Sequence, residues 1–247
     1  MQLKALFKTL SATALLLGAS IAHAEKVHVA VAANFTAAMK EIAANFETAS
    51  GHKTLVSYGS TGKLYAQIQH GAPFEVFLAA DQKRPQMLEE KGAASKPFTY
   101  AIGKLVLWSS DEKRTADEQA LKSGNFKRLA ISNPKTAPYG AAALEILANL
   151  GVDKTLKPKL VVGDNLAQTH QFIATGNAEY GFIALAQIAL DASGSRWLVP
   201  ENLYAPIQQD AVLLTKGKEN PAALALLEYL RNDAAKSIIK KYGYGTE

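Results

Sequence analysis

The sequence predicts an α/β protein of two lobes, each built on a mostly parallel sheet flanked by helices. Short β-branched runs alternate with helix-period segments from residue 25 onward, the pattern that gives parallel sheets. No internal repeat and no low-complexity linker interrupts that alternation. The chain of 247 residues is 48% hydrophobic and 20% charged, too apolar and too weakly charged for a disordered chain.

The elements follow in order. Residues 27–32 (VHVAVA) read as a strand, and Phe35, Ala38, Met39, Ile42 and Phe46 then recur at helical spacing. Residues 54–58 (TLVSY) are a second strand, followed by a helix over 63–70. Residues 75–79 (EVFLA) are a third strand, with a helix over 84–91 closed by Gly92. Residues 101–109 (AIGKLVLWS) form one long apolar strand. Residues 128–132 (RLAIS) precede a helix over 139–150 closed by Gly151. Residues 160–162 lead into a helix over 166–175, and 180–184 (YGFIA) into another. Residues 209–215 (QDAVLLT) are a late strand, and the chain ends in an amphipathic helix after Pro221 with Leu224, Leu227, Tyr229, Leu230 and Ile238 on apolar positions.

Without a linker, the lobes must be joined by extended segments that can serve as a hinge. The 101–109 and 209–215 strands are the natural pair. Lobe 1 is then residues 25–104 plus 205–247, and lobe 2 is residues 105–204.

Residues 1–24 read as a cleaved export signal. Lys4 and Lys8 give a positive start, 12–19 a short apolar run, and Ala22-His23-Ala24 the small-x-small form of a cleavage site. The apolar run is too short to span a membrane. The expected product is a periplasmic protein without membrane insertion. With Lys4 and Lys8 removed, the excess of Lys+Arg over Asp+Glu drops from five to three. No dense basic cluster is present, which argues against nucleic acid as a partner. Zero cysteines exclude disulfides, thiolate metal sites, a cysteine nucleophile and a lipid-modified N-terminal cysteine.

Four strand-to-helix junctions are rich in donors. The first is residues 32–36 (AANFT), with Asn34 expected at the helix N-cap. The second is 59–62 (GSTG), the third 133–140 (NPKTAPYG) and the fourth 163–166 (GDNL). A helix start presents N–H groups without intrahelical partners and a partial positive charge, and glycines let an anion approach the backbone. Any one of these junctions is also explained by ordinary helix capping. In open α/β sheets, however, ligands sit beyond the carboxyl ends of the strands. Two junctions from each lobe facing across a cleft would form a cage of N–H and O–H donors suited to a fully ionised oxyanion. Tyr139 starts a helix after Pro138, and pattern alone leaves it between a packing role and a hydroxyl reaching into the cleft.

Other motifs fail. GSTGKL lacks the first P-loop glycine, because Ser57 stands there, and Leu64 follows Lys63 where Ser or Thr is needed. Residues 59–62 are one residue too short for a nucleophile elbow. Asn34-Phe35-Thr36 matches a glycosylation sequon, a short pattern with a high chance rate. His28, His52, His70 and His170 have no metal-ligand spacing; Asp81 and Glu75 could be read as paired carboxylates, but six residues apart at a strand end they read as flanking a solvated loop.

At the same junctions the chain resembles the periplasmic molybdate-binding proteins of ABC importers. The resemblance is carried by VAVAANFTAAMKEIAANFE, VSYGSTGKLYAQIQHGAPFEVFLAADQKRP, YAIGKLVLWSS, LAISNPKTAPYGAAALEIL, VVGDNLAQTHQFIATGNAEYGFIALAQI and IIKKYGY, which span nearly the whole mature chain in order. It implies a type II periplasmic-binding-protein fold with the ligand in the interlobe cleft, held by neutral hydrogen bonds. It also implies a monomer that takes molybdate or tungstate, needs no cofactor or resident metal, and delivers its ligand to a membrane permease. The family's ligand positions fall on Asn34 (backbone N–H and side chain), Thr61 with Ser60 adjacent, Tyr139, and the backbone N–H of Leu166. Many members carry a tyrosine where this chain has Ala184; in a subgroup with the same ANF and APYG motifs, a tyrosine at the Tyr139 position supplies a hydroxyl.

The expected function is capture of molybdate, and tungstate, for an ABC importer. One alternative is a binding protein for sulfate or thiosulfate. The other is an exported enzyme on the same fold, for which Asp164 and Lys135 are the nearest acid and base.

Overall fold

Val27, Val29 and Val31 alternate with Ala30 along the first strand, and both sets are fully buried, in two different cores. A strand apolar on both faces must lie inside a sheet covered by helices on both sides. That is its position in the computed structural model, which describes residues 24–191 and 193–246. The expected export signal, residues 1–24, lies outside the described residues except for Ala24.

The first half of the chain gives β1 (Lys26–Ala32), a 3₁₀ turn (Ala33–Phe35), α1 (Thr36–Ser50), β2 (Lys53–Gly59), α2 (Thr61–Gln69), β3 (Val76–Leu78), α3 (Lys83–Glu90) and β4 (Phe98–Gly103). The next elements are β5 (Leu105–Ser109), α4 (Glu118–Ser123), β6 (Leu129–Ser132), α5 (Pro138–Asn149), α6 (Asp153–Leu156), β7 (Leu160–Gly163), α7 (Leu166–Ala174), β8 (Tyr180–Ala184) and β9 (Ser195–Leu198). The chain then returns through β10 (Ile207–Leu213), α8 (Pro221–Arg231) and α9 (Asp233–Lys241).

Two five-stranded sheets result, in the orders β2-β1-β3-β10-β4 and β7-β6-β8-β5-β9. In each, three strands run parallel, the fourth is antiparallel, and the fifth pairs antiparallel to that one, so four of five strands share a direction. The odd strand in each sheet, β10 or β5, is the one that has just crossed from the other lobe. The two sheets are thus topological copies although no repeat is visible in the sequence. Phe35, Met39, Ile42, Phe46, Leu226, Leu230 and Ile239 pack one face of the first sheet, with Leu64, Phe77, Leu88 and Val212 on the other. Leu105, Leu107, Leu129, Ile131, Ile146 and Phe182 centre the second lobe.

Several expectations are corrected. The 101–109 strand is two strands in different sheets, broken at Lys104, because Gly103 pairs with Ile207 and Leu105 with Ala184. The C-terminal helix is likewise two, broken at Asn232, whose side chain accepts from the Ala235 N–H and starts α9; Leu224, assigned to the apolar face, is 48% exposed. The helix expected after residue 184 is only a 3₁₀ turn, Leu185–Gln187. Asn34 is not an N-cap: it sits in the 3₁₀ turn, and Phe35 precedes α1. Among the described residues no helix is long and apolar enough to cross a membrane.

Candidate functional site

The ends of β1, β2 and β3 and the starts of α2, α5 and α7 meet where the lobes touch. They enclose a small cavity lined by Ala32, Ala33, Asn34, Gly59, Ser60, Thr61, Ala80, Ala137, Pro138, Tyr139 and Leu166. All five residues singled out from the sequence are in that lining, each no more than 3% exposed. The cavity is far smaller than the grooves on the surface. It has room for a small ion and none for a sugar or a peptide.

Thr61 is the first residue of α2, Leu166 the first of α7 and Tyr139 the second of α5. Their backbone N–H groups therefore lie in first turns, where no intrahelical acceptor is available. The side-chain hydroxyls behave differently from caps. Ser60 is the N-cap of α2, yet it makes no capping bond, and its buried Oγ has no hydrogen-bond partner. Thr61 Oγ1 accepts from the Ala80 N–H at 3.1 Å, which leaves its own hydrogen for another acceptor. At the fourth junction ordinary capping does hold: Asn165 Oδ1 accepts from the Gln168 N–H at 3.1 Å. Leu166 is fixed there through its carbonyl, which accepts from Gln187 Nε2 at 2.9 Å.

Asn34 and Tyr139 belong to a buried network that the sequence reading missed. Asn34 Nδ2 donates to Gln209 Oε1 at 2.7 Å and to Tyr244 Oη at 3.1 Å, while the Tyr244 hydroxyl donates to the Asn34 carbonyl at 2.8 Å. Gln209 Nε2 donates to Tyr139 Oη at 3.2 Å. Both amide hydrogens of Asn34 are thus engaged within the protein. Burial pushes the phenols of Tyr100, Tyr139 and Tyr244 well above their ordinary range, so they stay protonated. The apolar 101–109 run gave no hint of this network, and Gln209 at the head of the 209–215 strand was its only trace.

The lobes are closed on one another. The Gly62 N–H donates to the Thr136 carbonyl at 2.8 Å, and Arg84 Nη2 to the Lys135 carbonyl at 3.2 Å. Lys63 pairs with Asp164 at 3.0 Å across the rim, in an exposed position where such pairs contribute little. A Cβ at Gly62 would lie 3.0 Å from Thr136 Cα and from Arg84 Nη2, a tight contact that needs its neighbours to give.

No Asp, Glu, Lys, Arg or His lines the cavity. Asp164 is spent on Lys63, Asp81 is paired with Arg84, and Glu75 accepts from the His28 N–H and from Asn220, so the carboxylates are neither paired with each other nor aimed at the cavity. His170 stacks on Trp108, with ring centroids 4.9 Å apart, and burial lowers its pKa. Among the described residues no group of His, Cys, Asp and Glu is arranged to hold a metal ion.

Comparison with known proteins gives a consistent picture. Residues 27–245 match the family described as bacterial extracellular solute-binding protein. The molybdate-binding protein ModA of Azotobacter vinelandii is 56% identical over 97% of this chain and 99% of its own length. ModA of Rhodobacter capsulatus is 50% identical over 96% and 95%. A solved periplasmic molybdate-binding protein from A. vinelandii superposes with a TM-score of 0.86 at 38% identity, over 90% of this chain and 99% of that one. The chain belongs to the bacterial extracellular solute-binding proteins and, within them, to the periplasmic molybdate-binding proteins.

Proposed function

We propose that this chain captures molybdate between its lobes and presents it to the membrane permease of an ABC importer. The observation that carries the reading is the cavity itself: four junctions supply N–H and O–H donors, and no charged side chain enters. Identity of 50–56% to proteins named for molybdate binding supports the choice of ion. Ser60 donates its orphaned hydroxyl, Thr61 and Tyr139 donate theirs, and Asn34, Thr61, Tyr139 and Leu166 offer backbone N–H groups. Ser60 thereby ranks beside Thr61, and the Asn34 side chain serves as a brace. A buried hydroxyl without a partner costs about 1–3 kcal/mol, and an anion in the cavity relieves that cost.

Tungstate, a dianion of like charge and shape, fits the same donors. Sulfate offers only acceptors too, so its exclusion rests on size. Phosphate carries a proton at neutral pH, and a wall of donors leaves that proton unmatched. The protein works as a monomer, exported by its N-terminal signal, with lobe 1 spanning residues 25–104 plus 205–247 and lobe 2 residues 105–204. Bonds such as Gly62 to Thr136 favour the closed state, which the permease reads. An enzymatic role is disfavoured by a lining whose sole ionisable side chain is Tyr139.

Isothermal titration of residues 25–247 with molybdate, tungstate and sulfate tests this. One-to-one binding of the first two, with no heat from sulfate, is expected. Absence of molybdate binding would overturn the proposal.

A further inference from the structure

We propose that Gln209 is a positioning residue that holds the Tyr139 hydroxyl as a donor toward the cavity and thereby sets the preference for fully deprotonated oxyanions. The inference rests on the cavity being an oxyanion site. Gln209 is completely buried on β10, beside the register shift between Gln209 and Asp210, and links one cavity residue from each lobe.

The direction of its hydrogen bonds follows from a backbone carbonyl. The Asn34 carbonyl can only accept, so the Tyr244 hydroxyl spends its one hydrogen there. Tyr244 Oη must then accept from the Asn34 side chain, which makes the facing atom Nδ2. The other hydrogen of that amide goes to Gln209, so the facing atom there is Oε1. The Tyr100 hydroxyl fits this assignment, dividing its hydrogen between the Ala79 carbonyl at 3.1 Å and Gln209 Oε1 at 3.3 Å. Gln209 therefore turns Nε2 to Tyr139 and fills a lone pair of its hydroxyl. What remains on Tyr139 is a hydrogen. The Tyr244 hydroxyl interacts with Tyr139 as the neutral competitor for that hydrogen, and a charged oxyanion is the stronger acceptor.

Gly103 protects the arrangement. A Cβ there would lie 2.1 Å from Tyr139 Oη and 2.8 Å from Gln209 Nε2, so a side chain at this position would drive the two apart. A polar brace that directs protons needs this close approach, whereas an apolar crossing would not.

The test is the ratio of molybdate to hydrogen phosphate affinity, measured by titration and by displacement, in wild type, Gln209→Met, Gln209→Asn and Tyr139→Phe, with each Gln209 variant also combined with Tyr139→Phe. Freed from Gln209, the Tyr139 oxygen can accept from a protonated anion. The ratio is expected to fall by about tenfold or more in Gln209→Met, and to show no such fall when Tyr139 is already phenylalanine. Gln209→Asn keeps a buried amide but withdraws it from Tyr139, and should give the same shift should the methionine variant fail to fold. Loss of a merely structural residue would weaken both ligands alike. An unchanged ratio, undetectable phosphate displacement in the folded variants, or an equal fall in the Tyr139→Phe background would each overturn the role of Gln209. A wild-type chain that ignores molybdate would instead overturn the site reading beneath it.

Discussion

Ser60 and Asn165 stand at equivalent places, each between a strand end and the helix that follows it, one in each lobe. Both are of types that cap helices, and Asn165 does so by accepting from Gln168. Ser60 does not, although it is buried and its hydroxyl has no other partner. The pair separates two uses of one residue class. A capping oxygen taken by its own helix belongs to stability, and one left idle in a closed cavity is available to a ligand.

The contrast can be broken by making the second junction like the fourth. Ser60→Asp supplies an oxygen that caps α2 but places a carboxylate against the anion. We expect roughly a hundredfold or greater loss of molybdate affinity, with thermal stability kept; binding that survives would remove Ser60 from the site. Ser60→Ala takes away one donor to a charged group, a loss of about 1.5–3 kcal/mol in binding. The empty protein should be no less stable, because an unsatisfied buried hydroxyl is gone, and calorimetry together with a thermal melt reads both. Asn165→Ala reverses the pattern. It should cost about 1 kcal/mol of stability, a fall of roughly 2–4 °C in melting temperature, while affinity changes little. A large loss of affinity without loss of stability would erase the distinction between the two junctions.

The smallest effect expected is that of pH. Tyr139 is the cavity's sole ionisable side chain, and burial raises its pKa, as it does for Tyr100 and Tyr244. A raised phenol favours the neutral form in the folded state. Its contribution to stability is therefore full below the unfolded value of about 10 and is lost as pH rises beyond that. Affinity measured between about pH 6 and 9 should be flat; a midpoint inside that window would point to a titrating group that the lining does not contain.

The fold was legible because its signals are local. Alternating valines mark β1, helical spacing marks α1, and Gly92 and Gly151 close their helices with φ near +70°. The breaks at Lys104 and Asn232 were not legible, since an apolar run looks the same whether it stays in one sheet or passes into another. The four junctions could be marked because glycine, hydroxyl and amide side chains cluster at strand ends, and the family resemblance picked the five candidate residues out of them. What those side chains do inside the cavity could not. Gln209 meets Asn34 across 175 positions and Tyr244 meets it across 210, and no local pattern encodes such a meeting. Asn34 therefore reads as a cap in sequence, while in space its amide is hydrogen-bonded to Gln209 and Tyr244.

The bridge between Ile102 and Gly245, with Tyr244 beside it holding Asn34, has a consequence for when the protein becomes competent. The turn that follows β1 is thus braced by a residue some 210 positions further along the chain. A chain arrested before residue 244, in synthesis or during passage through a membrane, lacks the hydroxyl that orients Asn34, while all the strands of both sheets are already present. On the reading proposed above, the ion site is complete only once Tyr244 is in place beside Asn34.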